Sequence, residues 1–163
     1  MNTIRFAVPD DIPFIRLCIH ELAEYEQAAE QDHATEELLR RHLFDEPSAK
    51  VLIAEADGVP AGIALWFNNF STWIARPGIY LEDLYVRAPY RHRGLGKALL
   101  RRLAQLAVEN DWGRVEWSCL KWNTPSLDFY RALGAQTMDE WTALRLDGQH
   151  LQDFGQPTPA TLK

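Results

Sequence analysis

The segment Arg91-His92-Arg93-Gly94-Leu95-Gly96-Lys97 combines two glycines with several basic side chains, and it follows the apolar run Ile79 to Val86. Glycines let backbone N–H groups approach a ligand closely, and the start of a following helix adds a partial positive charge. We therefore expect this turn to bind a phosphate. A dinucleotide loop would need a third glycine where Leu99 stands, and a P-loop would need Ser or Thr at Ala98. The alternative is a flexible turn with a basic, solvated helix start.

Two carboxylates, Glu82 and Asp83, interrupt the same apolar run. Alternation sends one to each face of a strand that should be apolar on both faces, so we expect at least one carboxylate to be functional. The alternative is a buried pair satisfied by the backbone or by an arginine such as Arg87 or Arg145. Glu26 raises the same question, because it continues the inward-facing stripe of a predicted helix. A buried carboxylate needs a partner, and a cationic amine is one.

A second motif runs from Trp122 to Ala135 and predicts a short helix. Thr124 can cap this helix, Pro125 suits its first position, and Gly134 suits the left-handed residue at its end. Within it, Phe129-Tyr130 is either a core aromatic pair or catalytic.

Composition is that of an ordinary globular protein, with 163 residues, 47% apolar and 25% charged. We expect a single domain over 1–163, with residues 147–163 as a C-terminal arm. Cys18 and Cys119 fit free thiols in a reducing compartment, and the sequence shows neither a membrane-length apolar run nor a signal peptide. A cytoplasmic location is therefore expected.

The net charge of −6 is unevenly distributed, since seven acids lie between Glu21 and Glu37 whereas basic residues gather near the glycine turn. An acidic protein of pI about 5.3 argues against a nucleic-acid binder. The five histidines, at 20, 33, 42, 92 and 150, lack the spacing of metal ligands, so no metal is expected.

Periodicity and turn residues place these groups on alternating elements. Strands are predicted at 4–8, 51–56, 61–67, 79–86, 114–119 and 141–146, with a tight turn at Asp57-Gly58. Helices are predicted at 11–28, 35–43, from Leu95 to Ala107, and from Pro125 onward.

Both motifs, in this order of elements, resemble the GNAT superfamily of N-acetyltransferases, whose acetyl-CoA diphosphate loop is similar to Arg91-x-x-Gly94-x-Gly96. Further segments resemble the spermidine/spermine (diamine) and thialysine N-acetyltransferases, namely Glu21 to Glu26, Trp73-Ile74, Tyr80 to Asp83 and Trp122-Asn123. The resemblance implies the GNAT fold of the α/β (α+β) class. That fold has a central mixed, mostly antiparallel twisted sheet of six to seven strands, flanked by about four helices. It also implies acetyl-CoA as cosubstrate.

The resemblance also implies roles for individual residues. Glu82 would accept the proton of the amine and Tyr130 would be the general acid. The amine would be bound by Tyr25, Glu26, Trp73, Glu82 and Asp83. The cofactor would be bound by Leu84, Tyr85, Val86, Arg91, His92, Arg93, Gly94, Leu95, Gly96, Lys97, Asn123, Ser126 and Tyr130.

Two departures from the polyamine enzymes remove negative charge near the expected amine channel. Ser71-Thr72 replaces an aspartate, and Lys121 replaces an acidic residue. A short amine, such as a lysine analogue or a diamine, is therefore favoured over a long polyamine. The remaining alternatives are a protein or peptide lysine acetyltransferase and a non-catalytic acetyl-CoA-binding module.

Six tryptophans, three of them (Trp66, Trp73 and Trp141) near predicted strand ends, together with the family's habit of pairing, predict a homodimer. Core filling explains tryptophans equally well.

Overall fold

A computed structural model describes residues 1–156, so the last seven residues of the predicted arm lie outside the described residues. The chain divides into two compact units, Met1–Ser118 and Cys119–Lys163. None of the described helices is both long and apolar enough to cross a membrane.

The first unit contains a five-stranded sheet in the order β1-β2-β3-β4-β5. Neighbouring strands are antiparallel except β4 and β5, which are parallel. The strands are β1 (Asn2–Phe6), β2 (Lys50–Ala56), β3 (Val59–Ser71), β4 (Arg76–Val86) and β5 (Val115–Trp117). The helices of this unit are α1 (Ile12–Tyr25), α2 (Glu36–Arg40) and α3 (Leu95–Glu109).

Short irregular helices surround these elements. Three are 3₁₀ turns, Pro9–Asp11, Ala29–Gln31 and Ala88–Tyr90. The π-helix Arg41–Asp45 continues α2, whose first turn is capped by Thr35 Oγ1 accepting a hydrogen bond from Leu38 N at 3.2 Å. In the second unit, α4 spans Thr124–Ala132 and α5 spans Gly148–Phe154.

The core of the first unit forms where helices cover the sheet. On one face Ile15 and Cys18 of α1 pack with Val51, Ile53 and Ile63. Alternation turns the neighbouring strand residues to the opposite face. The buried stripe of α3, which contacts β2, β3 and β4, consists of Leu95, Leu99, Leu100, Leu103, Leu106 and Ala107.

Most predicted elements are confirmed, with shifted ends. The tight turn at Asp57-Gly58 has positive φ at both residues, 53° and 80°, as a two-residue hairpin turn requires. The first strand ends at Phe6 rather than residue 8, and α1 ends at Tyr25 rather than residue 28. Beyond α1, Gln27 adopts a φ of 59°, which is incompatible with a continuing helix.

The predicted count of six to seven strands is wrong, because the described residues form five. Residues 141–146, predicted as the closing strand, have no regular secondary structure, and their side chains are exposed. Leu144, for example, is 93% exposed. Several apolar residues in this segment favour a strand, but a strand also needs a hydrogen-bonded neighbour.

Candidate active site

A β-bulge lies in the middle of β4, at the two predicted carboxylates. Leu65 of β3 faces Asp83, whereas the next residue, Trp66, faces Leu81, so Glu82 is an extra residue in the ladder. A bulge bends its strand and redirects the side chains around it. Accordingly, Glu82 is exposed and Asp83 is half-buried.

The bulge coincides with the point where β5 separates from β4. Parallel pairing joins Ile79–Leu81 to Val115–Trp117 and ends there, while β4 continues for five more residues, from Glu82 to Val86. Within the first unit, this last part of β4 is therefore paired only on its β3 side.

Hydrogen-bond alternation identifies which backbone groups face the open edge. Arg87 N donates to Ala61 O at 3.0 Å, so residues spaced by two from Arg87, such as Tyr85, direct their backbone bonds toward β3. The N–H and C=O groups of Leu84 and Val86 therefore point the opposite way. A ligand with amide groups can pair with this edge as an additional strand would.

The turn between β4 and α3 has the geometry of an anion site. His92 and Gly94 both adopt left-handed conformations, with φ of 61° and 77°, and Gly94 is the N-cap of α3. The backbone N–H groups of the first helical turn have no intrahelical acceptor, and the helix dipole adds positive potential there. The structure thus presents several N–H groups at one point, as the sequence predicts.

The two glycines of this turn differ in what they require. Gly94 occupies a left-handed conformation that favours glycine, with no atom within 4 Å of an added Cβ. A Cβ on Gly96 would meet only Val86 Cγ2, at 3.9 Å, which is ordinary contact. Packing within the chain does not require glycine at 96, so this position is open to a ligand such as the diphosphate of a cofactor.

The basic residues of the turn have separate surroundings. Arg93 Nη1 lies 3.5 Å from Asp57 Oδ2, and the Arg93 carbonyl accepts a hydrogen bond from Asn2 Nδ2 at 3.0 Å. Arg91 Nε instead donates to Val86 O at 3.0 Å. Lys97, on the first turn of α3, is exposed.

Three carboxylates lie close enough to influence one another. Burial, with the negative charges of Glu82 and Glu26, raises the pKa of Asp83 to about 6. Burial also raises the pKa of Glu26, which follows α1 and is half-buried as predicted. A bound cation would relieve the repulsion among these groups.

The arginines suggested as partners for these carboxylates bind elsewhere. Arg87 forms an ion pair with Glu21 of α1. Arg145 Nε lies 4.0 Å from Asp147 Oδ2. The Arg87 guanidinium, through its hydrogen bonds, lowers the pKa of Glu21. Sequence reasoning missed the Glu21–Arg87 pair, since the two residues stand 66 positions apart.

In the second unit, Asn123 rather than the predicted Thr124 caps α4. Its Oδ1 accepts a hydrogen bond from Ser126 N at 3.3 Å, and the Asn123 side chain is buried. Gly134 has a φ of 92°, which confirms the predicted left-handed residue after the helix. Tyr130 is half-buried in α4, and its ring centroid lies 5.4 Å from that of Phe129.

Trp73, predicted to bind the amine, lies in the turn between β3 and β4 and is 87% exposed. Phe70 and Ile74 beside it are exposed as well. These three exposed apolar residues at the end of the β3–β4 hairpin are hereafter called the hairpin patch.

Known proteins resemble this chain in sequence and in fold. A model of the Acetyltransferase (GNAT) family matches residues 15–135. A thialysine N-epsilon-acetyltransferase from Bos taurus is 36% identical, over 93% of this chain and 95% of its own length. An L-ornithine N5-acetyltransferase from Arabidopsis thaliana is 32% identical, over 93% of this chain and 86% of its own length. Among solved structures, an integron cassette protein from the V. cholerae mobile metagenome has a TM-score of 0.80 at 22% identity, covering 96% of this chain and 98% of that chain.

Proposed function

Because this chain belongs to the acetyltransferase (GNAT) family, as its two motifs predict, we propose that it transfers the acetyl group of acetyl-CoA to a primary amine of a small cationic molecule. Diamines, polyamines and lysine analogues such as thialysine are the candidate substrates. One observation carries the proposal. Strand β4 and the turn after it offer, in chain order, the carboxylates Glu82 and Asp83, the open edge at Leu84 and Val86, and the anion-binding turn.

Each part of this arrangement suits one part of the two substrates. Acetyl-CoA supplies a thioester whose acetyl carbon the amine nitrogen attacks. The amide groups of its pantetheine arm match the open edge of β4, and its diphosphate matches the N–H groups that begin α3. The residues proposed to bind it are Leu84, Tyr85, Val86, Arg91, His92, Arg93, Gly94, Leu95, Gly96, Lys97, Asn123, Ser126 and Tyr130.

Two residues are proposed to move protons. An ammonium with a pKa near 10 cannot act as a nucleophile, so Glu82 accepts its proton, directly or through water. Glu82 suits this task because it is exposed and can pass the proton on to solvent. Tyr130 donates a proton to the departing thiolate, while backbone N–H groups at the separated end of β4 stabilise the oxygen of the attacked carbonyl.

The cysteines favour direct transfer over a covalent acetyl-enzyme. Burial raises the pKa of the Cys18 thiol to about 12, so this thiol is not a nucleophile at neutral pH. Among the described residues, neither Cys18 nor Cys119 forms a disulfide, which fits a reducing compartment, and we propose a cytoplasmic location.

Charge favours a short substrate. Tyr25, Glu26, Glu82 and Asp83 are the proposed amine-binding residues. Trp73, which the resemblance also implies, lies in the turn that precedes β4 and belongs to the hairpin patch. Ser71-Thr72 and Lys121 stand where the polyamine enzymes carry acids, so the second and third ammonium groups of a long polyamine find less negative charge. Relatives named for ornithine and thialysine support this preference.

We also propose that the chain forms a homodimer through the hairpin patch. Trp73 and Phe70 expose large apolar side chains, and such patches mark association surfaces. Light scattering at micromolar concentration should report twice the 18.7 kDa chain mass, and Trp73→Ser should shift the mass toward one chain. A monomeric wild-type protein would contradict the dimer.

A panel assay tests the proposed activity. Release of free CoA thiol from acetyl-CoA is followed with thialysine, ornithine, lysine, diamines, spermidine, spermine and a lysine-containing peptide, and with no amine as the control. We expect short amines to give a higher kcat/KM than spermine. A peptide as the best substrate would indicate a protein acetyltransferase, and CoA binding without turnover of any amine would indicate a non-catalytic module.

Thermal shift tests the cosubstrate independently of turnover. Acetyl-CoA should raise the Tm, whereas NAD and ATP should raise it far less, because the turn lacks the residues that those nucleotides require. Equal shifts with all three would overturn the assignment.

A further inference from the structure

Arg91 stands at the start of the anion-binding turn, yet its side chain points toward α1. The guanidinium carbon lies 5.4 Å from the ring centroid of Tyr25 and 5.6 Å from that of Tyr85. At the same time Arg91 Nε donates to Val86 O at 3.0 Å. One side chain therefore contacts two aromatic rings and the open edge of β4.

The residues that Arg91 contacts belong to different parts of the proposed site. Val86 carries backbone groups of the open edge, where the cofactor arm would pair. Tyr25 is the last residue of α1, and the next residue is Glu26, whose charge acts on Asp83. Fixing Tyr25 therefore fixes the helix end that carries a carboxylate of the amine side.

The other cations of the turn lack this connection. Arg93 lies beside Asp57 of the β2–β3 turn, and Lys97 is exposed on α3. Both have the charge to attract a diphosphate. Among the described residues, however, the guanidinium that lies over the Tyr25 ring is that of Arg91. Arg93 is thus a matched comparison for Arg91.

We infer that Arg91 is a positioning residue that joins the cofactor turn to the amine-binding end of α1, so that occupancy of the two sites is coupled. The inference rests on the proposed function. The Tyr25 and Tyr85 rings hold the guanidinium in one orientation before any ligand arrives. The Arg91 side chain therefore loses less conformational entropy when the cofactor binds. By reciprocity, a cofactor that restrains Arg91 also restrains Tyr25 and with it Glu26.

A double-mutant cycle tests this coupling with CoA alone as the probe. Calorimetric titration without amine is performed on the wild type, Tyr25→Leu, Arg91→Gln and the double variant. Tyr25→Leu should weaken CoA binding by about 2- to 5-fold, the range expected for loss of an exposed cation–π contact. In the Arg91→Gln background, Tyr25→Leu should weaken CoA binding less than it does in the wild type.

Two further variants separate this role from a merely structural one. Tyr25→Phe keeps the ring face over the guanidinium and should therefore bind CoA more tightly than Tyr25→Leu does. Arg93→Gln should weaken CoA binding, but Tyr25→Leu should add its full effect in that background, because the Arg93 side chain lies beside Asp57 of the β2–β3 turn. Melting temperatures of the unliganded variants show whether each is folded.

Additive effects of Tyr25→Leu and Arg91→Gln, or unchanged CoA binding by a folded Tyr25→Leu variant, would overturn the inference while leaving the acetyltransferase proposal intact. A wild-type chain that binds neither CoA nor acetyl-CoA would overturn both.

Discussion

Glu21 on α1 and Arg87 at the end of β4 are joined by a two-pronged ion pair, in which Arg87 Nη2 and Nε donate to the carboxylate at 2.8 and 3.0 Å. The backbone N–H of the same arginine bonds to Ala61 of β3. The pair therefore attaches the second half of α1 to the end of β4, beyond the two carboxylates Glu82 and Asp83. In this way two residues far apart in sequence set the position of Glu26.

Replacing Glu21 with Gln tests this attachment. The variant loses one charge and part of the two-pronged geometry, so we expect a stability loss of ~1 kcal/mol, since the pair is partly exposed. Because Glu26 is then less well held, the KM for the amine should rise more than the KM for acetyl-CoA. Glu46→Gln, which alters an exposed ion pair with Arg41, is the control and should change neither. Equal changes in both KM values would contradict this role.

Gly94 and Gly58 form a matched pair for testing the anion-binding turn. Both have positive φ, 77° and 80°, and neither has an atom within 4 Å of an added Cβ. Replacing either glycine with alanine should therefore lower the free energy of unfolding by a similar ~1 kcal/mol. Only Gly94→Ala should weaken CoA binding, and Gly96→Val should weaken it about 10-fold or more with little loss of stability. Calorimetry with CoA, beside urea unfolding, measures both quantities. Wild-type CoA affinity in both turn variants would place the diphosphate elsewhere.

Asp83 should give the acid limb of the pH–rate profile. Its pKa is raised to about 6 by burial and by two neighbouring carboxylates, so below pH 6 it is neutral and attracts a cationic amine less. We expect kcat/KM for the amine to fall below about pH 6, and Asp83→Asn to remove this limb and reduce kcat/KM. A limb near pH 6 that persists in the Asn variant would assign it to another group.

The raised pKa of Asp83 also makes the stability of the protein depend on pH. The folded state keeps its proton up to about pH 6, whereas the unfolded state loses it near 3.8, so stability falls as pH rises between these values. At pH 8 the ionised, half-buried carboxylate opposes folding, and Asp83→Asn should be more stable than wild type by ~1 kcal/mol. Urea unfolding at pH 5 and pH 8 measures this gain, which should be smaller at the lower pH.

Much of the fold could be predicted from sequence because it depends on local pattern. The apolar stripe of α3, the turn at Asp57-Gly58 and the left-handed Gly134 each follow from residues a few positions apart. The bulge at Glu82 could not be predicted, because it exists only in the register between β3 and β4. The Glu21–Arg87 pair likewise requires the tertiary fold.

The strand predicted at residues 141–146 is an element that the sequence favours but the structure lacks. Residues 141–146 contain apolar residues that favour a strand, but composition does not supply a partner strand, and these residues remain irregular. In the site, the turn and the position of Glu26 followed from sequence. The orientation of Arg91 did not, because aromatic rings from α1 and β4 determine it.

Tyr130→Phe tests the proposed general acid. The substitution keeps the ring that packs on Phe129 and deletes only the hydroxyl, so α4 should remain intact. The kcat should drop by roughly 10²-fold or more, with CoA affinity nearly unchanged, because the thiolate then leaves without a proton donor. Tyr90→Phe, at a residue that is not among those proposed to bind either substrate, is the control for loss of a phenol. Full kcat in Tyr130→Phe would show that the residue serves packing alone.

Glu82→Gln tests the proton acceptor through its pH dependence. Gln is nearly isosteric but cannot take a proton, so the variant depends on the small fraction of amine that is already neutral. That fraction grows tenfold per pH unit below the amine pKa near 10. The loss of kcat/KM should therefore be largest near pH 7 and should shrink toward pH 9.5, whereas Glu109→Gln, at the far end of α3, should match the wild type throughout. A loss of the same size at every pH would mean that Glu82 anchors the substrate by charge and that the proton leaves by another route.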